Sequence, residues 1–305
     1  MEQLENIVLS GGGIKGYLHL GVLKALERYN LLSSIKRFCG TSIGAFVCFL
    51  YILELSPSQI EELFLTMDLH YFLQLIPEQI FAVLETFGVN DGQQLENILC
   101  IILEKTGFSK TITFKELYDA TQKDLIVTGT CLDTYKTVYF SRKSTPTMEV
   151  KLAIRISMCL PFLFQPIVYN DKRYVDGGVS NNFPLEIFQN QKHKTLGVIL
   201  HGKSKDKDYT IPKHIIEYGM SLFRCMSSCF DDYKKTTWKD KVLALYTTVE
   251  TIDLDTSIEN RIQMIKEAED NTTFYIEEKL KKETLQFVNQ YVLSIMKSVK
   301  QQLLD

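Results

Sequence analysis

Short apolar runs alternate along the chain with longer stretches in which apolar residues recur every three or four positions. The runs at residues 7–9, 35–39, 125–131, 137–140, 173–175, 196–200 and 242–246 read as strands. Between them the pattern is helical. Leu18, Gly21, Val22, Ala25 and Leu26 fall on one helix face, residues 45–53 (AFVCFLYIL) are apolar enough for a buried helix, and residues 92–105 follow an Asn90-Asp91-Gly92 turn. Strands alternating with helices predict an α/β fold around a mixed sheet. No repeat, low-complexity tract or Pro/Gly/Ser-rich linker interrupts it, so residues 1–305 are expected to form a single domain ending in a helical tail at 276–305. Leu285, Val288, Val292, Ile295 and Val299 make an apolar stripe on that tail. It is expected to pack on the body, with a contact between two copies as the alternative.

Chemistry enters where the second strand meets its helix. Gly40-Thr41-Ser42-Ile43-Gly44 is a G-x-S-x-G pattern at a strand-to-helix turn. A serine there is forced into strained backbone geometry with its hydroxyl exposed, and the following helix turns its positive end toward it. Ser42 is therefore a candidate nucleophile. A second motif, Gly11-Gly12-Gly13-Ile14-Lys15-Gly16, lies between the first strand and first helix. Bare backbone N–H groups at a helix start can hold a phosphate or a transient oxyanion, and Lys15 adds positive charge. Gly11-x-Gly13-x-x-Gly16 also fits a dinucleotide fingerprint, but no acid lies between Glu27 and Glu54 to meet a ribose, and no Gly-Lys-Ser/Thr closes a P-loop. A third motif, Asp176-Gly177-Gly178, follows a strand and precedes Asn181-Asn182-Phe183-Pro184. Asp176 is either a plain turn residue or a carboxylate delivered to the sheet's C-terminal edge.

The three motifs in this order resemble the patatin-like phospholipase family. Residues 112–141 resemble its central strand pair, 152–164 its buried helix and turn before the aspartate, and 252–276 its closing helical segment. The resemblance covers about residues 5–280. It implies a three-layer α/β/α sandwich with a mostly parallel central sheet, and hydrolysis of lipid acyl esters by a Ser-Asp dyad without histidine. Matched by position, Ser42 is the nucleophile and Asp176 the general base. The amides of Gly12, Gly13 and Ile43 form the oxyanion hole, with Gly11, Gly16, Gly40, Gly44, Gly177 and Gly178 as motif glycines. Lys15 stands where the family often has Arg, so the charge is kept and the guanidinium fork is lost. Ser157 keeps the serine of the buried helix, while Ile154 and Ile156 are bulkier than the family's usual small residues.

A Ser…Asp…His order also exists through His201, with His193 and His214 downstream. The early position of Ser42, on the second strand, argues against that triad, and a structural role is expected for His201. His19 is expected to be a packing or surface residue. Net charge is −3 and no basic block occurs, so nucleic acid is not an expected partner. The seven cysteines, scattered and mostly in apolar contexts, suggest reduced thiols and a cytoplasmic setting; ordinary burial is expected for Cys225 and Cys229. No C-x-x-C, His cluster or acidic calcium loop points to a metal, and no cofactor is expected. The first strand begins too early to follow a signal peptide, and residues 45–53 fall far short of the roughly 20 residues that span a bilayer. A soluble or peripheral enzyme is expected, meeting its lipid by transient surface contact. The apolar stretch 69–87, divided by Pro77, is a candidate flap over Ser42, with burial in the core as the alternative.

Overall fold

The computed structural model describes residues 4–68, 83–202, 215–249, 251 and 253–302. Ten strands are present among them: β1 (Asn6–Leu9), β2 (Arg37–Thr41), β3 (Gly88–Asn90), β4 (Asp124–Cys131), β5 (Lys136–Ser141), β6 (Phe162–Phe164), β7 (Ile167–Tyr169), β8 (Lys172–Asp176), β9 (Thr195–Gly202) and β10 (Val242–Thr247). The helices are α1 (Tyr17–Arg28), α2 (Ile43–Ile52), α3 (Pro57–Thr66), α4 (Gln93–Lys105), α5 (Phe114–Thr121), α6 (Val150–Ser157), α7 (Gly178–Asn181), α8 (Ile215–Trp238) and α9 (Ile258–Gln302), with a helical turn at Val83–Thr86.

The main sheet runs β10-β9-β1-β2-β4-β8-β7, with β5 also on β4. Strands β10, β9, β1, β2 and β4 are mutually parallel, whereas β5 and β8 run antiparallel to β4. Alternate residues of the central strands enter different cores. Ile7, Leu9, Phe38, Val198 and Leu200 join α1, α2, α6 and α9 on one face. Val8, Cys39 and Ile199 join Phe183, Leu185, Phe188 and Trp238 on the other. A strand buried on both faces has no polar face, which is why the β1 run reads as continuously apolar rather than alternating. Helices on both sides of a mostly parallel sheet make the expected α/β/α sandwich.

Seven strands lie where the apolar runs predict them, with ends shifted by a residue or two. The clearest shift is at β2, which extends through Gly40 to Thr41 and ends immediately before Ser42. The run pattern misses β3, β6 and β7, each only three residues long and too short to show a period. The C-terminal stripe differs from expectation. Leu285 is 62% and Val288 47% exposed, and residues 281–291 are all exposed, so that part of α9 does not pack on the body; the rest of the stripe lies outside the described side chains. Cys225 is exposed rather than buried, and Cys229 lies outside the described side chains. Of the apolar stretch 69–87, residues 69–82 lie outside the described residues, and Phe87 at its end is exposed.

Candidate active site

The edge of β4 explains how two distant motifs meet. β2 pairs with β4 only as far as Thr41 opposite Thr128. β8 takes over the same edge from the next residue, with Asp176 opposite Gly129. β2 and β8 run toward each other along that edge, so their C-terminal ends converge, and Ser42 and Asp176 arrive face to face.

Ser42 sits at φ 53° and ψ −125°, a left-handed region costly for a residue with a Cβ. The turn is tight because Gly44 passes so close to β1 that a Cβ on it would lie 2.4 Å from the Leu9 carbonyl oxygen. Gly40 is equally close to the start of α2, 2.4 Å from the Ala45 nitrogen. Ser42 occupies the N-cap position of α2, yet its side chain makes no capping bond, so the hydroxyl is left for other work. Its backbone N–H donates to Ser157 Oγ at 2.8 Å, a bond from the fully buried end of α6 that pins the elbow.

Asp176 is 1% exposed. Gly178 N–H donates to its Oδ1 at 2.7 Å, which anchors the carboxylate through the turn that Gly177 and Gly178 make. Burial lifts its pKa to about 7, although the Ser42 hydroxyl and the Gly178 amide both favour the charged form. The Ser42 hydroxyl is near enough to act on the carboxylate, but Oδ2 has no well-aligned hydrogen bond among the described residues.

The glycine loop closes over the same end of the sheet. Gly13–Gly16 forms a short 3₁₀ turn with Gly12 at its start, and Gly13 takes φ 56°. Among the described residues the N–H groups of Gly12 and Gly13 meet no acceptor, whereas Gly11 donates to the Asn182 carbonyl at 3.2 Å and Ile14 to the Thr251 carbonyl at 3.0 Å. The Ile43 amide is the first of α2, a position that an α-helix leaves unpaired. Lys15 reaches toward the end of β9, where its Nζ would touch a Cβ placed on Gly202 at 3.5 Å. A cavity of about 130 Å³ opens beside Ser42 and Gly13, walled by Tyr17, Phe46, Phe64, Leu95, Met158, Leu163 and Phe164.

No described histidine pairs with Ser42 or Asp176. His19 is fully buried on α1, its Nε2 at 2.8 Å from the Ser10 carbonyl oxygen, and burial lowers its pKa to about 4. His201 stacks on Tyr246 with ring centroids 5.1 Å apart, and His214 lies outside the described residues. Among the described residues no group of His, Cys, Asp and Glu side chains is placed to hold a metal, and no helix is long and apolar enough to cross a membrane.

Asn181, Asn182, Asp231, Lys234, Thr251 and Ser157 also bear on the site through their hydrogen bonds. These positions carry no motif of their own. Their parts follow from which backbone carbonyl or hydroxyl the fold sets beside the glycine loop and the elbow.

Comparison with known proteins gives this α/β sandwich a family. The family model for patatin-like phospholipase matches residues 7–188, more than half of the chain. This protein belongs to the patatin-like phospholipase family. Among curated proteins it is 28% identical to the uncharacterised protein R571 of Acanthamoeba polyphaga mimivirus over 210 residues, which cover 68% of this chain and 69% of that one. It is 32% identical over 193 residues to the probable lipid hydrolase 463L of invertebrate iridescent virus 6, covering 62% of this chain and 66% of that one. The crystal structure of VipD from Legionella pneumophila matches with a TM-score of 0.63 at 17% identity, covering 90% of this chain and 67% of VipD, a likeness of fold. Family membership places the chain among lipid hydrolases.

Proposed function

We propose that the protein hydrolyses carboxylic esters of lipids through a Ser42–Asp176 dyad. The observation that carries this reading is a buried carboxylate of raised pKa facing a serine at a strained elbow, with an apolar cavity beside the serine. The relative described as a probable lipid hydrolase supports the substrate class.

The steps follow from the chemistry of the groups. Ser42 Oγ attacks the ester carbonyl carbon while its proton passes to an Asp176 oxygen. A carboxylate is a weak base in water, but burial brings its pKa to about 7, close to working pH. The carbonyl oxygen takes the negative charge and accepts hydrogen bonds from the Gly12, Gly13 and Ile43 amides, each donor contributing about 3 kcal/mol to the transition state. Collapse breaks the C–O bond, and Asp176 returns the proton to the departing alcohol. Water, deprotonated by the same carboxylate, then attacks the acyl-enzyme; the acyl C–Oγ bond breaks, Asp176 returns the proton to Ser42 Oγ, and the fatty acid leaves. The apolar cavity holds the acyl chain, and the rest of the lipid stays toward the membrane surface that the protein touches transiently.

Intact mass after fluorophosphonate treatment tests the dyad. Wild type and His201→Ala should gain one adduct, Ser42→Ala none, and Asp176→Asn should react slowly. Fatty acid release from phospholipid vesicles should follow the same order. A folded wild type without adduct or release would overturn the proposal, and loss in His201→Ala would reassign the base.

A further inference from the structure

Residues 181–183, just past the Asp176 turn, touch both halves of the site. The Asn182 carbonyl accepts the Gly11 N–H at 3.2 Å, one residue before the Gly12 and Gly13 amides. The Asn181 carbonyl accepts the Thr41 hydroxyl at 3.2 Å, one residue before Ser42. One short segment thus ties the glycine loop to the nucleophile strand.

That segment is gripped from behind by α8. Asn182 Nδ2 donates to Asp231 Oδ2 at 3.1 Å. One turn on, Lys234 Nζ donates to the Phe183 carbonyl at 2.7 Å and to Asn181 Oδ1, and lies 3.1 Å from Glu186 Oε2. Asp231 is 6% exposed, and its burial raises its pKa to about 6 in spite of the Asn182 bond and Lys234. Burying an ionisable group costs stability unless a specific arrangement repays it. Here the hydrogen bonds of the pair run to the segment that spaces the two halves of the site, and the Lys234–Glu186 ion pair lies just beyond it.

We propose that Asp231 and Lys234 are positioning residues for ester cleavage: they hold residues 181–183, and through them the glycine loop, at the distance from Ser42 that an oxyanion hole requires. This rests on the Ser42 reading above. Oxyanion donors act over a few tenths of an ångström, and a misplacement of about 1 Å costs on the order of 100-fold in rate. Neither residue touches substrate, and both lie beyond residue 188, where the family match ends.

The test uses the full chain and two readouts, the fluorophosphonate labelling rate of Ser42 and steady-state kinetics on a soluble short-chain ester. Asp231→Leu and Lys234→Met should each lower kcat and labelling rate by about 10- to 100-fold while KM stays within about twofold. Asp231→Asn should restore most of the rate, because its amide oxygen still accepts from Asn182. Near-UV circular dichroism verifies the fold, and if Asp231→Leu does not fold, Asp231→Asn and Lys234→Met decide. A kcat within about twofold of wild type in the folded Leu and Met variants would sink the inference alone, as would equal loss in Asn and Leu. An unlabelled wild type would instead bring down the Ser42 reading and this inference with it.

Discussion

Asp176 governs the pH behaviour expected of this protein. In the proposed role of base it must be ionised, so kcat/KM should rise with pH, with an apparent pKa near 7, and level above it; a profile flat from pH 5 to 9 would exclude Asp176 as the base. The same burial acts on stability with the opposite sign. The folded pKa of about 7 stands above the ordinary 3.8, so this group favours the fold most at low pH and the contribution is lost as pH rises through about 7. The difference corresponds to about 4 kcal/mol. Asp176→Asn should therefore melt above wild type, by a margin growing from about pH 4 to pH 7 and constant beyond, while losing activity. Ser157 offers a milder test. Ser157→Ala removes the acceptor for the Ser42 N–H and should cost about 1 kcal/mol of stability and about tenfold in kcat, with KM little changed. Ser42, Asp176 and the glycines were legible in the sequence because their spacing expresses local backbone demands. The bonds that hold them, from Ser157 and Asn182, and the Asp231 bond that holds Asn182 in turn, join residues far apart in the chain, and no local pattern records them.

At the scale of elements, the elbow between β2 and α2 leaves no room for a side chain at its glycines. Gly44→Ala places a methyl 2.4 Å from a backbone oxygen of β1, and neither strand nor helix can give way. It should cost several kcal/mol or prevent folding. Gly107→Ala is the contrasting case, at φ 81° with open space around it, and should cost only about 1 kcal/mol. Thermal melts of both variants separate steric exclusion from backbone strain. β6 contributes Leu163 to the cavity wall. Leu163→Trp should shift ester preference toward shorter acyl chains with little change on an acetyl ester, measured across a chain-length series. Long apolar runs announced the central strands; β6, with three residues, was invisible until its pairing with β3 placed it.

For the whole molecule, α9 is the element on which sequence pattern and packing part company. Its first half lies along α1 and buries Met264, Ile265, Ala268 and Ile276, whereas residues 281–291 stand exposed with Phe287 and Tyr291 among them. Removing residues 284–305 should therefore leave Tm within about 4 °C of wild type. A larger fall would show that the tail is packed in solution, and light scattering would report whether a second copy covers it. By itself the sequence determined seven of the ten described strands and their alternation with helices, the α/β class, the glycine loop, the serine elbow and the aspartate turn. Each of these is written in local terms, as apolar periodicity or as glycine where a backbone must bend or approach closely. Tertiary structure alone decided that β8 follows β2 along one edge of β4, so that Ser42 meets Asp176; that burial lifts the carboxylate; and that α8 braces the segment between the two halves of the site. Those outcomes depend on strand pairing, desolvation and contacts between distant residues, which a one-dimensional pattern does not contain.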